Sequence, residues 1–198
     1  MSRLILILLL LAVPTVCLAQ GTIFGTIVAE PNTGNPELGA WTYRLVITWN
    51  TGTPHALSHM NLKLDDPDGN CECEEIESAL TWGDPIGFSH ESPSYCLVYY
   101  YGEFLCHGDP SISVDGIMLK FEPYENPECE PGTGGVATFT FYSDYPPVPI
   151  AEDNLFLSDK FSGYVGFGPV TGVFPAIPCD PVETERATWG DLKQGYGD

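Results

Sequence analysis

Residues 111–147, SISVDGIMLKFEPYENPECEPGTGGVATFTFYSDYPP, contain two predicted strands around a tight turn, a glycine-rich loop and a third predicted strand. Asp115 and Gly116 lie between two apolar runs. This pair favours a type I′ hairpin turn, because both central residues of that turn need positive φ. Residues 136–142, VATFTFY, are rich in β-branched and aromatic side chains, which favour strands. The stretch predicts an antiparallel sheet and indicates no activity.

The rest of the chain continues this β pattern. In residues 41–49 the side chains at alternate positions are apolar, which predicts a strand with one buried face formed by Tyr43, Leu45, Ile47 and Trp49. Further strands are predicted at 22–29, at 57–64, around Phe156 and at 164–167, and residues 76–82 form either a short strand or a helical turn. We therefore predict one all-β domain, an antiparallel β-sandwich of the immunoglobulin-like or jelly-roll-like kind.

The N-terminal residues have the pattern of a signal peptide. Arg3 precedes an apolar run at 4–13, and Ala19 ends a plausible cleavage site. Cys17 raises the alternative of a lipid anchor. The predicted organisation is a signal peptide at 1–19, a β-sandwich domain at 20–180 and a tail with a short amphipathic helix at 181–198. The predicted location is secreted, extracellular or cell-surface, with the periplasm as an alternative.

Six cysteines remain after removal of the signal peptide, and an even number in an exported chain predicts disulfides. They are Cys71, Cys73, Cys96, Cys106, Cys129 and Cys179. Residues 95–106 predict a hairpin whose tip is near Gly102, which would set Cys96 opposite Cys106. We therefore predict a Cys96–Cys106 bond, and a bond from either residue to Cys71 or Cys73 is the alternative.

The chain is strongly acidic. Without Arg3, six basic residues face 27 acidic ones, which gives the predicted mature chain a net charge of −21. Such a surface repels nucleic acid and anionic membranes, so both are poor partners, and we predict no nucleic-acid partner and no membrane span. The excess charge indicates either a solvated acidic surface or the binding of divalent cations.

Residues 65–75, DDPDGNCECEE, carry alternating oxygen donors, and Gly69 allows a sharp turn. Calcium prefers several such oxygens from a short flexible loop. The run is interpreted as a solvated acidic turn, and the alternative is a calcium site formed by Asp66, Asp68, Asn70 and Glu72. Calcium is the one cofactor that the sequence indicates.

Three stretches together resemble a group of poorly characterised secreted bacterial β-sandwich modules. They are WNTG (49–52) followed by ALSH (56–59), GDPSI (108–112) followed by GIMLKF (116–121), and VATFTF (136–141). The resemblance covers roughly residues 22–179. It implies the fold and export, and it implies no particular activity.

The tail has a pattern of its own. Residues 188–191 form a capping-box pattern, and the predicted helix would carry Trp189, Leu192 and Tyr196 on one face. ATWGDLK (187–193) resembles the short Trp-Gly-x-Ile/Leu-Lys tails that end some exported bacterial proteins, although Gly-Asp follows Tyr196 here instead of a basic residue. A helix of about ten residues is unstable alone. The segment therefore docks on its own domain, binds a partner or stays frayed.

The sequence contains no nucleophile elbow, P-loop, dinucleotide fingerprint or zinc-protease motif. His59 is interpreted as an ordinary strand residue. We predict a non-enzymatic structural or adhesive module whose partner is a surface glycan or an envelope protein. The alternative is a carbohydrate-binding module that uses exposed aromatics such as Trp82 and Tyr100. A glycoside hydrolase is less favoured, because no acid is predicted inside an apolar strand face.

Overall fold

The computed structural model describes residues 21–64, 71–83, 86–89, 96–126, 129–151 and 155–178. This part of the chain is built of strands, with an α-helix α1 (Cys73–Ala79) and a 3₁₀ helix (Pro36–Leu38) as its helical elements. The strands are β1 (Thr22–Pro31), β2 (Trp41–Asn50), β3 (His59–Lys63), β4 (Thr81–Trp82), β5 (Ile86–Ser89), β6 (Leu97–Leu105), β7 (Met118–Pro123), β8 (Gly134–Ser143), β9 (Pro147–Pro149), β10 (Phe156–Phe161) and β11 (Tyr164–Pro175). The all-β prediction is confirmed. The predicted signal peptide and C-terminal tail lie outside the described residues.

Nine of the described strands close into a ring, in the order β1-β2-β8-β5-β6-β7-β3-β10-β11 and back to β1. Neighbours are antiparallel except β1 and β11, which are parallel with Gly25 opposite Val170 and Ile27 opposite Gly172. β4 pairs with β8, and β9 pairs with β11, beside the ring. The architecture is barrel-like, and the predicted β-sandwich is not confirmed.

Two long strands close the ring because each changes partner along its length. β6 pairs with β5 over 97–99 and with β7 over 100–105. β11 pairs with β10 over 164–169 and with β1 over 170–172. The backbones of β11 and β1 approach closely, since a Cβ added at Gly168 would lie 1.5 Å from the carbonyl oxygen of Ile23. A side chain at this position would force β11 away from β1.

The core fills the interior of the ring. β2 alternates as predicted, and its four apolar side chains at 43, 45, 47 and 49 are buried. β8 lies next to β2 and buries Phe139 and Phe141, with the ring of Tyr43 stacked 5.0 Å from that of Phe141. Each such large apolar side chain stabilises the fold by about 1.5–3 kcal/mol.

The hairpin predicted for residues 95–106 is wrong. β6 continues without a turn through Gly102 to Leu105. A strand rises about 3.3 Å per residue, so Cys96 and Cys106, at its two ends, are on the order of 30 Å apart. The predicted Cys96–Cys106 bond is wrong for this reason.

The described disulfides instead join distant parts of the chain. The Cα atoms are 5.5 Å apart in Cys73–Cys106, which ties α1 to the end of β6, and 5.7 Å apart in Cys96–Cys129, which ties the start of β6 to the loop before β8. Cys71 is disulfide-bonded as well. Cys179 lies outside the described residues.

The hairpin predicted around Asp115 and Gly116 is also wrong. Residues 110–113 form turns, Val114 makes an isolated bridge with Asp109, and β7 begins only at Met118. Gly116 does adopt a positive φ of 104°. Residues 107–117, called the cap loop below, lie against β3 and β7, as the contacts of Asp109 described below show.

Candidate functional site

Three tyrosines are exposed together where β6 and β7 adjoin. Tyr99 and Tyr101 point outward from β6 and are 51% and 37% exposed, whereas Tyr100 between them points into the core. Tyr124 follows β7 directly and is 58% exposed, and its backbone N–H donates to the carbonyl of Tyr99 at 2.8 Å. The rings of Tyr101 and Tyr124 have their centroids 5.3 Å apart. Tyr99, Tyr101 and Tyr124 are called the tyrosine face below.

Charged side chains fix one edge of the tyrosine face. The hydroxyl of Tyr101 donates to the carboxylate of Glu122, which is also 2.5 Å from Nζ of Lys120. The hydrogen bond to Glu122 is the main cause that raises the pKa of Tyr101 to about 12. The hydrogen bonds from Lys120 and Tyr101 outweigh burial and hold the pKa of Glu122 below its ordinary value. At neutral pH, Tyr101 is therefore a neutral donor and Glu122 an anion.

Two grooves meet at residues 124–126. One has a volume of about 500 Å³ and lies between this segment and residues 97–100 of β6. The other, of about 510 Å³, lies between the same segment, residues 56–57 and residues 130–131. Both volumes are within the range of small-ligand sites. Cys129, bonded to Cys96, lines the first groove and holds its wall to the start of β6.

A buried ionic cluster lies next to the tyrosine face, under the cap loop. His59 and Asp109 are 4% and 2% exposed, with Nε2 of His59 2.9 Å from Oδ2 of Asp109. Nζ of Lys120 is 3.7 Å from the same oxygen, and the backbone N–H of Ser111 donates to Oδ1 at 2.8 Å. His59 is a strand residue, as predicted, but no sequence pattern indicates its pairing with Asp109. The cluster fixes the cap loop to β3 and β7.

The protonation states in this cluster follow from burial and its partners. Burial alone would raise the pKa of Asp109, but the hydrogen bonds from Ser111 and the charges of His59 and Lys120 together hold it below its ordinary value. Burial and the positive charge of Lys120 lower the pKa of His59. At neutral pH, the cluster therefore consists of a carboxylate, an ammonium and a neutral imidazole.

A second buried acid lies inside the ring. Asp159 shares the inward face of β10 with Leu157 and Phe161 and is fully buried. No described side chain donates to its carboxylate, and burial outweighs the backbone N–H groups of Gly166 and of Asp159 itself and raises the pKa of Asp159 to about 6. Oδ1 lies so close to Gly166 that a Cβ there would be 2.2 Å away. The expectation that no acid lies inside an apolar strand face is therefore wrong.

The aromatic contact residues predicted from the sequence do not form the exposed surface. Tyr100 is 2% exposed, and burial raises its pKa. Its prediction as an exposed contact residue is wrong. Trp82 is half-buried, and its ring contacts those of Phe104, Phe121 and Phe141. Three consecutive tyrosines show that at least one must face outward, but not which one.

The predicted calcium site falls mostly outside the described residues. Asp66, Asp68 and Asn70 are not described, and Glu72 precedes α1, where its backbone N–H donates to the carboxylate of Glu75 at 2.8 Å. The described part of the chain contains no group of three or more His, Cys, Asp or Glu side chains placed to hold a metal ion. The calcium site stays a prediction, as does the contact surface of Trp189, Leu192 and Tyr196, which also lie outside the described residues.

A scan against protein-family models gives no match, and a search of curated proteins gives none. Among solved structures, the chain is similar to a family IIIA cellulose-binding domain (CBD) from Clostridium cellulolyticum, with a TM-score of 0.41 and 10% sequence identity. The similarity covers 76% of this chain and 98% of that chain, and at this level it does not establish a shared family. No helix in the described ranges has both the length and the apolar character needed to cross a bilayer.

Proposed function

We propose that this protein is an exported, non-catalytic binding module whose ligand is a neutral saccharide held on the tyrosine face. The observation that carries the proposal is the exposure of Tyr99, Tyr101 and Tyr124 beside two grooves. Adjoining exposed aromatic rings are typical of interaction sites. An aromatic ring offers an apolar surface to the C–H face of a sugar, while nearby polar groups bond its hydroxyls.

The polar groups around the tyrosine face suit a saccharide. Glu122 provides a fixed carboxylate, and Glu125 and Asn126 line both grooves. The net charge of the whole sequence is −20, which repels polyanions. A neutral glycan is therefore a better ligand than a sulfated or uronate-rich one.

The acids near the tyrosine face favour binding over hydrolysis. A glycosidase needs one carboxylic acid that stays protonated beside a second carboxylate. Glu122 has a lowered pKa and an ion pair with Lys120, so it is poorly suited to donate a proton. Asp109 lies under the cap loop in an ion pair with Lys120, and Asp159 is enclosed within the ring. These environments support a module that binds a saccharide and leaves it unchanged.

The proposal follows the alternative that the sequence left open, a carbohydrate-binding module, and not the structural or adhesive module that the sequence favoured. The disulfides Cys73–Cys106 and Cys96–Cys129 support a location outside the cytosol, since such bonds persist in oxidising compartments.

The proposal is tested by affinity electrophoresis and calorimetry against a panel of neutral polysaccharides, with a polyanionic one for comparison. We expect binding to a neutral polymer, and we expect Tyr99→Ala and Tyr124→Ala each to weaken it about tenfold, which corresponds to about 1.4 kcal/mol. The matched control is Tyr164→Ala, which removes a tyrosine of similar exposure, 48%, from β11. An equal loss in the control, or no binding to any neutral polymer, would contradict the proposal.

A further inference from the structure

A second exposed apolar surface lies on the outer side of β10 and β11. A groove of about 820 Å³ is lined by Ile150, Leu155, Phe156, Phe167 and Val170, among others. Phe167 is 57% exposed, and its ring centroid is 6.4 Å from that of Phe156. An exposed surface of this kind in a soluble domain indicates a contact with another segment or molecule.

The apolar surface continues onto β1. The hydroxyls of Thr26 and Thr171 are 3.3 Å apart, so the outward faces of β1 and β11 adjoin. Phe24 and Val28 lie two residues to either side of Thr26 on that face and are 51% and 54% exposed. The groove and these two side chains are called the apolar face below.

We propose that the C-terminal segment of this same chain, residues 187–198, docks on the apolar face through Trp189, Leu192 and Tyr196. The spacing of these side chains puts them on one side of a helix, and a helix of about ten residues needs such a contact to be stable. A buried tryptophan or tyrosine covers about 150–250 Å². The three side chains therefore give the segment an apolar side that fits against the groove. Among the described residues, the groove has no such partner.

The position at which the described chain ends supports this occupant. β11 forms one wall of the groove and is the last described strand, and the description stops at Pro178. The eleven residues from Pro178 to Trp189 can span about 36–40 Å when extended. The return along β11 from Pro178 to Phe167 is also eleven residues, or about 36 Å. Trp189 can therefore reach every part of the groove.

The charges are complementary as well. Residues 179–198 contain five acidic and two basic side chains. Nζ of Lys63 lies 5.2 Å from the ring centroid of Phe156, at the edge of the groove. Lys63 therefore offers the carboxylates of the segment one nearby ammonium group in a chain that is otherwise acidic. The tyrosine face lies on β6 and β7, so this inference does not depend on the proposed saccharide binding.

Limited proteolysis of the mature, disulfide-bonded chain tests the proposal, because trypsin can cleave after Arg186, just before the C-terminal segment, and after Lys193 within it. Mass spectrometry follows the cleavage rate after each. We expect slow cleavage after Lys193 in the unaltered protein and a rate at least tenfold higher in Phe167→Ser and in Trp189→Ser. Phe88→Ser is the matched control, since Phe88 is 47% exposed on β5, and it is expected to leave the rate unchanged.

Near-ultraviolet circular dichroism shows that each variant has retained the fold. Rapid cleavage after Lys193 in the unaltered protein, at the rate seen in Phe167→Ser, overturns the proposal. Equal acceleration by Phe88→Ser also overturns it. Protection that is lost on dilution assigns the apolar face to a second copy of the chain and overturns docking of the chain's own segment.

Discussion

Asp109 and Asp159 are buried to nearly the same extent, but their surroundings shift the pKa of the two carboxyl groups in opposite directions. Asp109 lies outside the ring, under the cap loop, where His59, Lys120 and Ser111 contact its carboxylate. Asp159 lies inside the ring, where no described side chain donates to its carboxylate and its nearest donors are the backbone N–H groups of Gly166 and of Asp159 itself. The pKa of Asp109 is held below its ordinary value, whereas burial raises that of Asp159 to about 6. The difference shows that the available partners, more than burial itself, decide whether a buried carboxyl group keeps its charge.

Removing the partnered acid is expected to have the largest effect. In Asp109→Ala, the imidazole of His59, the ammonium of Lys120 and the backbone N–H of Ser111 all lose this carboxylate, although Lys120 keeps its pair with Glu122. A buried donor that loses its acceptor costs about 1–3 kcal/mol, so we expect a loss of about 3 kcal/mol or more. The free energy of unfolding, measured with urea, gives the loss.

The control for this variant is Asp115→Ala, which removes an exposed acid from the same cap loop and should change the free energy of unfolding by about 0.5 kcal/mol or less. A loss below about 1 kcal/mol in Asp109→Ala would show that the cluster contributes little to stability.

Replacing Asp159 should change the free energy of unfolding in the opposite direction. The folded state binds the proton of Asp159 more tightly than the unfolded state, so stability falls as pH rises from about 4 to about 6 and then levels off. The shift of about two pKa units corresponds to about 3 kcal/mol. Asp159→Asn should therefore be more stable than the unaltered protein at pH 8 and should lose this pH dependence.

Thermal unfolding from pH 4 to pH 8 measures this difference. Glu37→Gln, which alters the exposed acid in the middle of the 3₁₀ helix, should keep the original pH profile. If Asp159→Asn shows the same profile as the unaltered protein, then the carboxyl group of Asp159 does not titrate in this range.

The smallest effect on stability is expected at Glu122, at the edge of the tyrosine face. Glu122→Gln removes the carboxylate that accepts from Tyr101, so the pKa of Tyr101 should fall from about 12 towards its ordinary value of 10. Stability should change by about 1 kcal/mol or less, because Glu122 is partly exposed and Lys120 keeps Asp109 as a counter-ion. Ultraviolet titration of the phenols measures the pKa, with Glu37→Gln as the control, since Glu103 also raises the pKa of Tyr101. An unchanged titration would mean that Glu122 does not perturb Tyr101.

The sequence predicted the strands whose side chains alternate regularly. β1, β2 and β8 were predicted to within two residues of their bounds, because one face of each is apolar at every second position. β6 was misread because Gly102 is a strong local turn signal. In the structure Gly102 lies opposite Phe121 of β7 and continues the strand. Pairing with a strand further along the chain outweighed the local preference.

The candidate site was less predictable than the strands. Residues 99–101 are all tyrosine, so no alternation shows which of them face outward. Asp159 alternates with apolar residues, but Ser158 on the other face of β10 is buried too, so polarity does not identify the inner face. Both assignments depend on which strands adjoin, and neither the closed ring nor the cap loop has a local sequence signal.

The parallel pair of β1 and β11 has a consequence for the order of folding. It joins Thr26 to Thr171, residues separated by 145 positions, and without it the ring stays open. Contacts of such long range make folding slow, because the entropy of closing the loop is lost before the contact stabilises anything. During synthesis the N-terminus of the chain emerges first, so one side of β1 stays unpaired until nearly the whole domain has emerged. Closure of the ring is therefore a late step, and an interruption before residue 170 leaves two strand edges open to pairing with other chains.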